Sequence, residues 1–339
     1  MATVDISSLQ RAAVNYQKDI KMLPYAVMAQ TLAEHGITLF PGVQNEDVIV
    51  SFLRKRGIAK PYAPGITPAD SDVGKVVESR LKVETAYASI VDNIKNYKEK
   101  VMITPDEMLG SNKSKKHPFE MQIISAVIKT FAEDVLDALF NAERDTTDES
   151  PMGLFDGFET KILAQIVSGD IAFHHNNYRE TPAFAAPTTD YDAYTALRNW
   201  LRSANPYLLK DAILIMPIQI ARYFMDGLKN KTAQKAATFI DFQEYLNEDV
   251  NGNIKVVKSR FMGTGDRLIL TAPGNMDFGM NTLGDETFVE INRLEKDRNI
   301  VNYWLQAEYG VRIRSTHEKS FLTNDGALTA NALSGDYVS

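Results

Sequence analysis

Between Pro118 and Asn141 the apolar residues Ile124, Val127, Ile128, Phe131, Val135 and Leu139 recur at steps of three and four, which puts them on one stripe of an α-helix. Pro118 suits the first helical position, where its missing N–H would have no intrahelical partner. No glycine or internal proline follows, so the pattern predicts an uninterrupted rod about 35 Å long at ~1.5 Å per residue. Glu133, Asp134 and Asp137 occupy its middle and rear. Acids gain nothing from the helix dipole there, so they are expected to face water or a partner chain. In residues 301–314 the period changes to two: Val301, Tyr303, Leu305, Ala307, Tyr309, Val311 and Ile313 alternate with Asn302, Gln306, Glu308, Arg312 and Arg314. That is a strand with one buried and one solvent face, roughly 45 Å long at ~3.3 Å per residue. It is long enough to back the helix.

The remaining pattern is more broken. Ile6, Leu9, Ala13, Tyr16, Ile20 and Leu23 give weak helical periodicity. Pro24 is expected to interrupt it, leaving a short helix that ends at a Gly36 C-cap. From Gly36 to Asp72 the density of proline and glycine predicts an extended arm without a core of its own, whose removal (residues 1–60) should leave a folded subunit. KVVESRLKVETA (75–86) alternates as a half-exposed strand, and ASIVDNIKNYKEKVMI (88–103) reads either as its hairpin partner or as a short helix. DYDAYTALRNWLRSAN predicts an amphipathic helix capped by Asp190 or Asp192 and carrying Tyr194, Leu197, Trp200 and Leu201. AILIM (212–216) has the continuous apolar run of a buried strand, and PIQIARYFMDGLKN restarts as a helix. NIKVVKSR, RLILTAP and FVEINRL are strand-length, with the glycines of FMGTGDRL read as a hairpin turn. From Thr323 the chain is small and polar and is expected to fray.

Composition narrows the chemistry. The chain has 339 residues, 44% hydrophobic and 24% charged, enough for a sizeable core and for two domains or one elaborated domain. It contains no cysteine, which removes disulfides, thiolate metal sites and cysteine nucleophiles. No run approaches the ~20 apolar residues that cross a bilayer, and no signal-peptide pattern opens the chain. The net charge is −7, but residues 1–118 hold 16 basic and 13 acidic groups, a net of +3, and residues 119–339 hold 21 and 31, a net of −10. The basic clusters RKR (Arg54, Lys55, Arg56) and KSKK (113–116) are solvated loops or a basic face for acidic surface or phosphate. Neither HExxH, GxSxG nor Walker A occurs. Adjacent His174 and His175 diverge too far to share a metal. Asp145, Asp148 and Asp156 lack the alternating oxygens and closing Glu of a calcium loop, and GLFDGF reads as a tight turn with buried aromatics. No catalytic, cofactor or metal site is expected; a catalytic role for 145–192, drawing on Asp190, Asp192 and His174, is the alternative from another class.

The order of these elements resembles the major capsid proteins of tailed bacteriophages, the HK97-type fold. KVVESRLKVETAYASIVDNIKNYKEKVM (75–102) looks like the extended loop and 118–143 like the spine helix. LLKDAILIMPIQIARYF and GDRLILTAPGNMDFGMN are similar to the axial domain, and DETFVEINRLEKDRNIVNYWLQAEYGVRIR to the returning peripheral strands. The resemblance implies an α+β fold: N-terminal arm 1–72, extended loop 73–110, peripheral domain 111–164, axial α/β domain 165–285, returning peripheral strands 286–322 and tail 323–339. It implies a structural subunit that forms hexamers and pentamers of an icosahedral shell around double-stranded DNA, bound without sequence specificity. Portal and scaffolding or decoration proteins would be partners, in a virion assembled in the bacterial cytoplasm. Subunit contacts are then expected at Arg54, Lys55, Arg56, Arg80, Lys82, Lys95, Lys98, Lys100, Glu133, Asp134 and Asp137. The rival on the same fold is an encapsulin-type nanocompartment.

Overall fold

The computed structural model describes residues 17–54, 74–93, 119–187, 192–231, 238–281, 289–293 and 300–329. The predicted rod is α2, Phe119–Asn141, and the predicted long strand is β12, Ile300–Ile313. Every odd-numbered residue of β12 from Val301 to Ile313 is buried, in one core with Ile124, Ile128, Phe131, Val135 and Leu139 of α2. The Phe131 and Tyr309 rings lie 6.0 Å apart, centroid to centroid.

Helix α1, Gln17–Glu34, continues through Pro24 where a break was expected. An internal proline costs a helix ~3 kcal/mol, but Met28 and Leu32 are wholly buried in the core they share with α2, and that packing offsets it. Gly36 closes the helix at φ +70°, as the C-cap reading requires. Strand β1, Ile37–Pro41, pairs in parallel with β10, Met276–Asn281. The coreless arm expected from Gly36 onward is therefore overturned here. Composition saw prolines and glycines, whereas the pairing partner lies in a distant part of the chain. Removing residues 1–60 would strip a core helix and a sheet strand.

Strand β2, Glu46–Arg54, pairs antiparallel with β3, Gly74–Lys82, as a two-stranded ribbon. Strand β4, Glu84–Asn93, instead pairs with β12. The strand partner of 74–82 is thus 46–54 and not 88–103, and residues 84–93 of the expected hairpin belong to the main sheet, while 94–103 lie outside the described residues. That sheet runs β1-β10-β12-β11, with β11 at Val289–Arg293 and β4 on the opposite edge of β12.

The second sheet has the order β5-β13-β9-β6-β7: Tyr178–Arg179, Phe321–Asn324, Ile269–Thr271, Ala212–Pro217 and Ile254–Ser259. Ile213 and Ile215 of β6 join the α2 core. Leu214 and Met216 join a second core with α4 (Ala193–Arg202), α6 (Ile218–Lys231) and α7 (Phe239–Val250). Burial on both faces is why β6 reads as an unbroken apolar run. Asp192 caps α4 by accepting from the Tyr194 N–H, and α5, Pro206–Leu209, leads into β6. Strands β7 and β9 flank β6 and do not pair with each other, so FMGTGDRL is not a hairpin turn. Within it β8, Thr264–Gly265, pairs with β14, Leu328–Thr329.

The expected fraying does not begin at Thr323: Thr323 and Asn324 are fully buried, while residues 330–339 of the expected tail lie outside the described residues. The Asn324 side chain accepts from the Leu268 N–H and donates to the carbonyl of Asp266, while its own carbonyl accepts from Arg267. Arg267 in turn grips Glu159 of α3, Phe158–Ser168, with Nε and Nη2 each 2.9 Å from a carboxylate oxygen. Small polar residues here satisfy a buried network.

Candidate assembly surface

The β2–β3 ribbon forms a sheet of its own, and its root is built from charges that cannot be left unpaired. Arg312 of β12, read from the alternation as solvent-facing, is 2% exposed. Its Nε and Nη2 donate to Asp277 of β10 at 3.0 and 2.7 Å, and Nη1 donates to the carboxylate and carbonyl of Asp47 on β2, both at 3.1 Å. Arg314 adds a 2.8 Å bond from Nε to Asp277. A second tie runs from the Ser79 hydroxyl of β3 to the Ile313 carbonyl at 2.8 Å. The ribbon is therefore clasped to the sheet by Arg312, which bridges Asp277 of the sheet and Asp47 of the ribbon, and by the Ser79 bond.

Where β3 becomes β4, the chain crosses directly over the sheet. Gly279 and Gly310 are register partners on β10 and β12, and a Cβ on Gly310 would overlap the Lys82 carbonyl. A Cβ on Gly279 would lie 2.9 Å from the Leu81 side chain and 3.2 Å from that of Val83, and these two pack with Val43 under the ribbon root. Paired glycines make the gap through which the crossing strand passes. Gly310→Ala is expected to cost ~1–3 kcal/mol by overpacking. Thermal unfolding should register the loss, and limited proteolysis should cut β2 and β3 sooner.

Of the expected contact residues, Arg54 lies at the end of β2, and Arg80 and Lys82 lie on the exposed side of β3. Arg80 pairs with Glu46 and Glu78, and Lys82 with Glu84. Lys55, Arg56, Lys95, Lys98 and Lys100 lie outside the described residues. Glu133 is exposed and Asp134 and Asp137 are half-buried on the rear of α2, well apart in sequence and fold from the ribbon. Exposed apolar side chains add to the surface: Val48 and Val50 on β2, Tyr87 and Val91 on β4, and Leu163 and Val167 on α3. Sequence reasoning missed Asp47, Asp277 and Arg312. The usable signal was an acid inside MDFGMN, a run otherwise fit for a buried strand, which demands a cationic partner.

Burial, then the neighbouring Asp137 and Glu133, push the Asp134 carboxyl up to about 6. Burial also raises Asp137, against the opposing pull of Arg260. A raised carboxylate pKa means the folded state holds this proton more tightly than the unfolded chain, so Asp134 costs stability above pH 6 and the cost fades as pH falls toward 3.8. Asp134→Asn is expected to stabilise the subunit at pH 7.5 by on the order of 1 kcal/mol after solvent screening. Melting curves should show no comparable gain near pH 4. His35 works in the opposite direction. Its Nδ1–H donates to the Thr31 carbonyl, and Nε2 accepts from the Ser259 hydroxyl. Burial lowers its pKa below 6.5, so the stability it holds above that pH is lost on acidification.

The remaining chemistry-bearing residues do not converge. Asp145 accepts from Thr147 and Asp148 from Ser150 as local turns, while Asp156 takes the Lys161 ammonium at 2.8 Å. Among the described residues no three His, Asp or Glu side chains form a metal cluster. His174, His175 and His317 line a groove of about 670 Å³ beside Arg314 and Glu318, and Asp192 is engaged as the α4 cap.

No protein-family model matches the sequence and no curated protein matches it either. Solved structures do. A chain of the satellite phage P4 procapsid matches at 13% identity over 88% of this chain and 89% of that one, with a TM-score of 0.54. A chain from the capsid of an empty GTA particle matches at 10% identity over 88% and 96%, with a TM-score of 0.53. This chain has the HK97-type capsid fold. At such identities the likeness lies in the arrangement of elements.

Proposed function

We propose that this chain is the major capsid protein of a tailed phage, a structural and non-catalytic subunit. The observation that carries the reading is end-to-end agreement of fold with capsid chains, across nearly the whole length of both partners. In this reading the β2–β3 ribbon is the extended loop, α2 the spine helix, the main sheet the peripheral domain and the α4–α7 block with the second sheet the axial domain. Copies join as hexamers and pentamers of an icosahedral shell that encloses double-stranded DNA, assembled in the bacterial cytoplasm with portal and scaffolding or decoration proteins.

Arg54, Lys55, Arg56, Arg80, Lys82, Lys95, Lys98 and Lys100 then supply basic contacts to neighbours, and Glu133, Asp134 and Asp137 supply acidic ones. A ribbon with Val48 and Val50 exposed gains contacts from adjacent copies in this reading, and closed symmetry repeats each modest contact many times.

Negative-stain imaging of the concentrated full-length protein tests the reading, with closed shells of uniform size expected. A protein that stays monomeric by light scattering at every salt and pH, alone and with its phage factors, overturns it. The ratio of absorbance at 260 and 280 nm of purified shells separates a DNA container from a protein-cargo compartment.

A further inference from the structure

The two sheets treat their edges differently. Strand β7, at the edge of the second sheet, carries exposed Lys255 and Lys258, the kind of charge that blocks pairing with another chain. Strand β4, ten residues long, is an edge of the main sheet with β12 as its one partner among the described residues. It has no such guard over its exposed stretch. Tyr87, Ser89 and Val91 all face outward there, with Tyr87 and Val91 at 61% and 59% exposure. Tyr87 is fixed by stacking on Trp304, with centroids 5.0 Å apart and planes at 12°.

The sequence of β4 is complementary to itself. When two copies run antiparallel about a twofold axis at Ser89, Tyr87 of each lies opposite Val91 of the other. Asp92 lies opposite Ala86, and Ser89 meets Ser89. The exposed apolar residues cover one another, and no acid faces an acid. Aromatic and β-branched cross-strand pairs of this kind are favourable, and the free N–H and C=O groups of both edges become paired.

We infer that β4 joins β4 of a second copy of this chain, making one continuous sheet across a twofold contact between subunits. This deepens the shell reading by naming a self-complementary contact distinct from the ribbon.

The cysteine-free sequence allows a direct test. Residues opposite one another in an antiparallel pair have Cα atoms ~4.5–5.5 Å apart, within the ~4.4–6.8 Å range of a disulfide. Ser89→Cys, at an exposed position, should give a covalent dimer on mild oxidation of assembled particles, seen on a non-reducing gel. Thr85→Cys, also exposed on β4 but off the axis, should not. Amide exchange along β4 in the unsubstituted protein should slow on assembly. Particles that form while Ser89→Cys stays uncrosslinked, or in which Thr85→Cys links equally well, or in which β4 exchange is unchanged, overturn the edge contact and leave the shell reading standing. Failure to form any particles counts against the shell reading, and Ser89→Cys crosslinking in concentrated solution then decides the edge contact on its own.

Discussion

Asp277→Ala is expected to destabilise the subunit by ~3–5 kcal/mol, the cost of removing one partner from a buried ion pair. Asp277 is fully buried and accepts from both Arg312 and Arg314, so its loss leaves a guanidinium that is 2% exposed with Asp47 alone as its carboxylate. Asp47→Ala is the informative comparison. The Asp47 side chain is 45% exposed, and Arg312 keeps Asp277 when it is removed. Its cost should stay within the ~0–1 kcal/mol of exposed pairs, while amide exchange in β2 and β3 accelerates. Urea unfolding of both variants separates the roles: Asp277 holds the sheet together, whereas Asp47 holds the ribbon to it. Equal losses would mean that the ribbon contact, and not burial of the pair, carries the energy.

Phe131→Ala should cost ~3–5 kcal/mol in the unassembled subunit. Its ring is 3% exposed and lies between the turns of α2 and Tyr309, which also contacts Phe155 and Phe278. Close-packed aromatics relax poorly into a ring-sized void, so the upper part of that range is expected. Chemical denaturation of the monomer measures it, with an unchanged m-value marking a pure stability effect. A loss well below ~3 kcal/mol would show that α2 leans on a neighbouring subunit for its stability.

Local periodicity made α2, β6, α4 and β12 legible because each buries a face or stripe whose spacing is set by its own geometry. The Gly36 cap and the buried aromatics of GLFDGF, Phe155 and the first α3 residue Phe158, were legible from turn-forming glycines. What escaped depends on partners far along the chain. KVVESRLK looked like one arm of a local hairpin, yet its partner is EDVIVSFLR across an intervening segment. Ile37–Pro41 looked like loop because parallel pairing with β10 leaves no local trace. Arg312 looked solvated because alternation assigns a residue to a face and says nothing about whether a ribbon lies over that face. The C-terminal polar residues were taken for a loose end because a buried hydrogen-bond network and a frayed tail use the same amino acids.

The central strand β6 gives its odd-numbered isoleucines to one core and its even-numbered Leu214 and Met216 to the other. A wall held in common cannot swing as a hinge: any rotation of one half against the other would shear the same six-residue strand from both sides at once. The two cores are therefore coupled through one strand. In the proposed shell, differences of curvature between sites are then taken up at the margins of the subunit, above all where the chain crosses Gly279 and Gly310 on its way into the ribbon. There the Asp47–Arg312 clasp would limit how far the ribbon tilts.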